Sequence, residues 1–383
     1  MTAIVTDAHY RMAAALIRDL GELGVRVVVC EYAHFEKPLG FASRYADETA
    51  VLADGNDAQT LFELVRGIFS REGQKPVLFA VGAQTLALVS RQRERFAEVC
   101  SFLAPAPQTL DDLNDKAWTA EFASGLGVKV PQSFAIQAGE SAASFFARVD
   151  YPCVIKPLCG EKFGLHAEKR YCIAQTPEQA EKAYAAFREL TGQAPVVQEY
   201  LPGEGAGCSV LAKNGEVLAA ICHRRLREYP VTGGPSSCCE CVQRPELEQA
   251  VKKIVKAADF SGVAMFEFKL DPDGEPRLLE CNPRVWGTYP LTRVSGSNFA
   301  QLWLEAAGGV PLHPYQAPKP CKMRYFPSDL AAAAGYLRRG ETGRFFAALG
   351  DTLSVKTKSG LFEWKDPKPA ARYLAALLKG RGR

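Results

Sequence analysis

Neither sign of charge dominates this chain: 46 basic and 43 acidic residues leave a net charge of +3. A protein that holds nucleic acid or an anionic membrane through its charge needs a stronger excess, so neither partner is expected. Long apolar runs are missing too, and none approaches the roughly 18 residues that a membrane-spanning helix requires. Met1 leads into a short strand and then a helix, without the basic stretch and apolar core of a secretory leader, so a cytoplasmic protein is expected. There is no internal repeat, and the basic 379–383 tail reads as a frayed end. Glycine is missing where one function class most needs it. Thr6-Asp7-Ala8-His9-Tyr10-Arg11 follows the first strand with no glycine, which removes the dinucleotide fingerprint and argues against NAD.

What is present is ordinary in bulk: 47% hydrophobic and 23% charged residues over 383 positions suit a soluble chain of two or three domains. The 12 cysteines are scattered, and Cys30, Cys153, Cys222 and Cys281 lie in apolar strand-like runs. That distribution fits buried free thiols in a reducing compartment better than a disulfide scaffold. Cys238-Cys239-Glu240-Cys241 is denser. A thiolate metal site there would need a second pair at ligand spacing, which the sequence does not supply.

Residues 1–107 alternate short apolar strands with amphipathic helices, the pattern of a parallel sheet covered on both faces. From Pro105 the texture changes. A helix over 111–127 and strands near 151–156, 170–173 and 196–200 suggest a second unit, 108–200. Strands at 208–212 and 217–223, a helix at 246–260 and a hairpin suggest a third, 201–318, in which antiparallel strands carry helices on one side. A proline-rich loop then leads to a small helical appendage, 319–383.

The most informative stretch is Gly262 to Arg284. Two apolar runs flank Asp271-Pro-Asp-Gly274, so it reads as a β-hairpin. Counting outward from Asp273-Gly274 sets Leu270 opposite Arg277, Phe268 opposite Leu279 and Glu267 opposite Glu280. Asn282 shares the face of Glu280. Opposed carboxylates repel, and charge is costly within apolar strands. A hard divalent cation resolves this, because Mg²⁺ takes carboxylate and amide oxygens and keeps positions for phosphates and water. The alternative is an exposed face with two ordinary glutamates.

Four further signals follow one another along the chain. Lys116 sits on the 111–127 helix. Lys156 ends an apolar strand before Pro157, which carries its ammonium out of the sheet to where an anion is held. Cys159-Gly-Glu-Lys162-Phe-Gly164 is a short loop with a basic residue, suited to closing over phosphates. Gln198-Glu199-Tyr200-Leu201-Pro-Gly-Glu204 is a strand running into a Pro-Gly turn.

In this order the segments resemble the ATP-grasp superfamily, which includes D-alanine–D-alanine ligase, biotin carboxylase and carbamoyl phosphate synthetase. The likeness runs over nearly the whole chain. It rests on Asp115-Lys116, Val154-Ile-Lys-Pro157, Val197-Gln-Glu-Tyr-Leu-Pro-Gly203, Phe266-Glu-Phe268 and Leu279-Glu-Cys-Asn-Pro-Arg284. The carboxylate–amine ligase-like group adds Ser43-Arg44-Tyr45, Arg227-Glu-Tyr-Pro-Val-Thr-Gly-Gly234 and Asp366-Pro-Lys-Pro369. The resemblance implies an α/β and α+β architecture: a Rossmann-like amino-terminal domain, then two α+β subdomains clasping ATP. It implies that Lys116, Lys156 and Lys162 meet the phosphates. Backbone at Gln198, Glu199, Tyr200 and Leu201 would read adenine, and Glu204 would accept from the ribose. Glu267, Glu280 and Asn282 would bind Mg²⁺ (or Mn²⁺). Arg284 would face the reacting centre, with Arg225 or Arg227 holding a substrate anion. The lid 159–164 has fewer glycines than the family pattern.

The expected activity is therefore ATP-dependent coupling of a small carboxylate to an amine or thiol, through an acyl phosphate, releasing ADP and phosphate. Two alternatives remain open: a carboxylase-type relative that activates bicarbonate, and a catalytically silent ATP-binding module. The default assembly is a homodimer.

Overall fold

The computed structural model describes residues 1–54, 58–158, 171–231, 233–271 and 273–378. Among them the strands form three sheets.

The first sheet is parallel, with strand order β3-β2-β1-β4-β5. Its elements are β1 (Thr2–Val5), α1 (Arg11–Glu22), β2 (Arg26–Tyr32), β3 (Glu48–Leu52), α2 (Ala58–Glu72), β4 (Val77–Phe79), α3 (Ala83–Arg91), α4 (Arg93–Val99) and β5 (Ser101–Phe102). β1 is buried at every position, as expected of a central parallel strand covered on both faces. Beyond β1, where a phosphate loop would turn on glycine, Asp7 adopts φ 57. Its buried carboxylate accepts from Gly82 N at 2.8 Å and Thr85 Oγ1 at 2.9 Å. A short polar side chain tolerates that conformation, and here it ties β1 to the loop after β4.

Helices α5 (Pro107–Asn114) and α6 (Lys116–Gly125) replace the single helix expected over 111–127. The break falls at Asp115, whose carboxylate caps α6 by accepting from Ala117 N at 2.8 Å and Trp118 N at 2.9 Å. Lys116 thereby becomes the first residue of a new helix.

The second sheet, ordered β6-β9-β7-β8, is antiparallel. Its elements are β6 (Ser133–Phe134), α7 (Ala142–Ala147), β7 (Cys153–Lys156), β8 (Cys172–Ala174), α8 (Pro177–Thr191) and β9 (Val196–Glu199). Phe145, Phe146, Ile155 and Val197 belong to its small core.

The third sheet runs β14-β13-β10-β11-β12-β15-β16. It comprises β10 (Gly205–Lys213), β11 (Glu216–Glu228), β12 (Ser236–Val242), α9 (Pro245–Ala257), β13 (Gly262–Leu270), β14 (Pro276–Asn282), α10 (Pro290–Val294), α11 (Phe299–Gly308), β15 (Lys322–Arg324), α12 (Ser328–Arg338), α13 (Thr342–Leu353), β16 (Thr357–Ser359) and α14 (Lys368–Leu378). Leu247, Val251, Ile254 and Val255 of α9 recur at helical spacing and pack on Cys208, Cys222, Phe266 and Phe268. The opposite face places Ile221, Cys239, Cys241 and Met265 in one cluster with Trp286, Phe299 and the first sheet.

Two expectations change here. The stretch beyond His223, where the expected strand ends, is mostly strand: β11 runs on to Glu228, and the cysteine-dense segment is β12. Cys239 and Cys241 are buried in the core, where burial pushes the Cys241 thiol up to about 12. The carboxy-terminal region is helical as expected, yet it also adds β15 and β16 to the large sheet.

Candidate active site

The hairpin β13–β14 gathers the candidate metal ligands. Glu267 stands opposite Glu280, and Asn282 stands opposite Met265, on the same face. Past that point the pairing slips by one, so Phe268 meets Leu278 and Leu270 meets Pro276, with an irregularity between Glu267 and Phe268. An extra residue in one strand produces this shift, which corrects the outer pairs while leaving the two carboxylates opposed. Asn282 Nδ2 lies 3.2 Å from Glu280 Oε1 and 3.4 Å from Glu267 Oε1.

Two cations come to the acids from different elements. Lys116 Nζ reaches Glu280 Oε2 at 2.9 Å from the start of α6, and Arg225 Nη2 reaches Glu267 Oε2 at 2.5 Å from β11. Arg225 and Glu267 belong to strands on either side of β10, which is glycine at positions 205 and 207. A Cβ on Gly207 would lie 2.4 Å from His223 Cε1, and one on Gly205 would lie 3.1 Å from Arg225 Cδ. The two glycines leave a trough in which His223 rests and across which Arg225 reaches the acid. Arg225 also donates to Glu228 at 3.2 Å.

The electrostatics divide the two glutamates. Burial raises both, but at Glu280 the nearby Lys116 and Lys156 outweigh it and hold the carboxyl at about 2. Glu267 ends above its ordinary value: its burial outweighs Arg225, and Glu280 pushes the same way. Lys156 ends β7 and is 9% exposed. Burial, then Lys116, bring its ammonium down to about 8, against the attraction of Glu280 and Glu267. No carboxylate stands within ion-pair reach of Lys156 among the described residues. Arg284 donates from Nη2 to Asn282 Oδ1 at 3.1 Å and from Nη1 to Val285 O at 3.0 Å, which sets it beside the trio.

The donor chemistry fits a hard divalent cation. Among the described residues no group of three or more His, Cys, Asp or Glu side chains is gathered for a metal. The trio instead offers two carboxylates and an amide, a set for an ion that completes its shell with phosphate and water. Lys116, Arg225 and the Asn282 amide N–H are the groups paired with the two acids.

Other expected residues fall elsewhere. Arg227 does not join the site. Its fork is taken up by Asp329, at 2.8 and 2.9 Å, and by Asp351 at 2.8 Å, so it anchors α12 and α13 to the sheet. Glu204 pairs with Arg224 at 3.2 Å on an exposed edge. Gln198 donates to Ser133 Oγ at 3.1 Å, and the Glu199 carboxylate accepts from Gln132 N at 3.0 Å. Tyr200 N donates to Pro152 O at 3.2 Å, whereas Leu201 N–H meets no acceptor among the described residues. A cavity of about 780 Å³ opens beside these residues, lined by Gln132, Glu199 and Arg277 but by neither lysine nor the metal trio. Lys162 and the 159–164 lid lie outside the described residues. Sequence reasoning missed Glu228 and His223 as neighbours of this site. The alternation Ile221, His223, Arg225 was the available signal, hidden because the strand was ended at His223.

Comparison with known proteins agrees with this architecture. Residues 192–327 match the family described as ATP-grasp in the biosynthetic pathway with Ter operon. The multifunctional protein URA2 of Saccharomyces cerevisiae is 23% identical over 291 residues, 72% of this chain, although the match spans only 13% of that protein's length. The biotin carboxylase domain of Hydrogenobacter thermophilus 2-oxoglutarate carboxylase, solved with MgADP, ADP and bicarbonate, superposes with a TM-score of 0.64 at 17% identity, over 82% of this chain and 71% of that one. The L-amino acid ligase of Bacillus licheniformis gives 0.58 at 17% identity, over 80% and 73%. Identities this low speak for the fold. They show that this chain has the ATP-grasp fold, and within it residues 192–327 match that family.

Proposed function

We propose that the protein is an ADP-forming ligase that phosphorylates a carboxylate with ATP and couples it to an amine. One observation carries this reading: the buried Lys156 ammonium makes no ion pair with a described residue, although Lys116, Glu280 and Glu267 act on it from nearby. A buried ammonium without a counter-ion is costly, and nucleotide phosphates would supply the missing charge.

The chemistry needs that set. A substrate carboxylate oxygen attacks the γ-phosphorus, ADP leaves, and an acyl phosphate forms. The amine nitrogen then attacks the acyl carbon, phosphate departs and the nitrogen loses a proton. Phosphoryl transfer depends on positioning and on neutralising charge. Lys156 and Lys116 would hold the phosphates, and the unpartnered Leu201 N–H suits an acceptor on the adenine edge. Glu267, Glu280 and Asn282 would hold Mg²⁺, which when bound neutralises and orients the phosphates. Arg225 keeps Glu267 in place, and Arg284 stands where charge grows on the transferring group. The buried thiols support a reducing, cytosolic setting.

A carboxylase reading, in which bicarbonate is the acid, draws support from the likeness to biotin carboxylase. Both readings share the phosphorylation of a carboxyl group and differ in the acceptor. The test is ADP release with MgATP against a panel of carboxylic acids and amines, beside an arm with bicarbonate alone, with products weighed by mass spectrometry. A mass equal to acid plus amine minus water supports the ligase. ADP release with bicarbonate alone moves the assignment to a carboxylase, and ATP binding without ADP formation in any arm leaves a nucleotide-binding module.

A further inference from the structure

Three buried or half-buried arginines pair with carboxylates: Arg18 meets Asp366, Arg227 meets Asp329 and Asp351, and Arg293 meets Asp19, Glu22 and Glu363. Arg11 does not. It opens α1 at the C-terminal edge of the parallel sheet, with its guanidinium carbon 3.9 Å from the Tyr325 ring centroid and 5.6 Å from that of Tyr373. It makes no hydrogen bond or ion pair with a described residue, and its Nη1 is shut off from solvent without a partner. Thr288 is linked to it through Tyr325. Tyr325 donates its hydroxyl to Gly287 O at 2.5 Å. The next residue, Thr288, is 6% exposed and its Oγ1 also lacks a partner.

A polar atom shut off from solvent is rarely left unmatched, and an unmatched nitrogen of a guanidinium is costly. Stacking on two tyrosines offsets part of that cost but leaves the in-plane Nη1 unsatisfied. A guanidinium fixed by its faces offers its in-plane edge to a planar anion, and a carboxylate accepts two parallel bonds there. The wall also connects with the candidate centre, because the same segment runs from Asn282 through Arg284 and Val285 to Gly287 and Thr288.

We propose that Arg11, with Thr288, anchors a substrate carboxylate that is not itself activated, and that the substrate carrying it is an amino acid. This rests on the ligase reading, since a carboxylate to be phosphorylated must instead reach the phosphates near Lys156. Arg11 is a specificity-determining residue and takes no part in the bond changes.

The test uses the full chain loaded with MgADP and titrated calorimetrically with the proteinogenic amino acids. Each binder is then compared with its carboxamide. We expect the acid to bind about 10- to 100-fold more tightly than the amide, the range of a charge-assisted hydrogen bond. Arg11→Met and Arg11→Gln should bind both alike with unchanged ADP affinity, and Arg11→Lys should keep part of the preference. Thr288→Val provides the same reading, as a reduced preference, should the Arg11 variants fail to fold. A preference that survives in Arg11→Met or is undiminished in Thr288→Val overturns the proposal, as does a wild-type protein that binds none of the amino acids. Failure of the ligase reading looks different: the acid is preferred through Arg11, yet no acid–amine pair releases ADP.

Discussion

At the scale of single residues, the acids of the site are paired with Lys116 and Arg225, whereas Lys156 acts on them from beyond ion-pair distance. Its ammonium stands at about 8 because burial disfavours the charged form. Replacing it by Met should therefore stabilise the ligand-free protein at pH 7, by about 1–3 kcal/mol, while ATP affinity falls at least tenfold. A melting curve and an ATP titration check the two halves together, and lowered stability with unchanged affinity would refute the assignment. Glu280 is the opposite case. The like-charge argument alone suggests that removing it relieves repulsion. The structure reverses this, because Lys116 and Lys156 hold its carboxyl at about 2. That lowered value gives stability that is present above the ordinary carboxylate range and lost as pH falls through about 2. Glu280→Gln should then cost the metal-free protein on the order of 1–3 kcal/mol and also abolish ADP formation. Thermal melts beside turnover measurements would detect the reverse pattern. For Arg284, a lysine keeps charge but cannot reproduce a planar fork. Arg284→Lys should retain ATP binding and lose about 10²–10³ in rate, measured by comparing the ATP dissociation constant with kcat. An arginine that only steadies the hairpin would instead lower stability and leave kcat in the folded molecules.

At the scale of elements, β10 and β11 show how a strand pair builds a site from what it omits. Gly205 and Gly207 carry no side chain, and the space they leave admits His223 and the reach of Arg225. Enclosure there, aided by the charge of Arg225, lowers His223 to about 3. Between that value and its ordinary one near 6.5, the unfolded chain takes up a proton that the native chain cannot. Stability is then lost as pH falls below about 6.5. From pH 6.5 to 5 the loss is about 2 kcal/mol. His223→Gln should lack this part of the acid sensitivity, seen as a smaller shift of the urea midpoint between pH 7 and 5. Equal shifts in both proteins would mean that His223 is protonated in the fold.

At the scale of the whole molecule, the two ends of the chain are locked together. Arg18 on α1 is 1% exposed. It donates to Asp366 Oδ2 at 2.7 Å and to the carbonyls of Leu361 and Asp366 at 2.6 and 2.9 Å. The same carboxylate accepts from Ser43 Oγ at 2.8 Å and Arg44 N at 2.9 Å. Two of the segments behind the carboxylate–amine ligase-like resemblance, Ser43-Arg44-Tyr45 and Asp366-Pro-Lys-Pro369, are thus one joint. A third, around Arg227, is a joint to α12 and α13. Breaking a buried pair by removing one partner leaves an uncompensated charge, at a cost of about 3–5 kcal/mol. Asp366→Ala should lower the denaturation midpoint by that much while ADP formation per folded molecule persists, and a loss below about 1 kcal/mol would show that Arg18 finds another acceptor.

The sequence by itself determined the alternation that makes a parallel sheet, the missing phosphate loop, the hairpin, and the opposition of Glu267 to Glu280. These follow from local rules: a period of two along a strand, the demands of a tight turn, and the cost of charge in an apolar run. Tertiary structure decided the rest. Which arginine serves the site and which serves a joint depended on the carboxylates each meets in the fold: Arg225 faces Glu228 and Glu267, whereas Arg227, two residues on, meets Asp329 and Asp351, both more than a hundred positions away. The bulge that shifts the outer hairpin, the strands within the carboxy-terminal region and the unmatched edge of Arg11 were hidden for the same reason. Each is set by what a group meets across the fold, and a linear pattern carries no record of that partner.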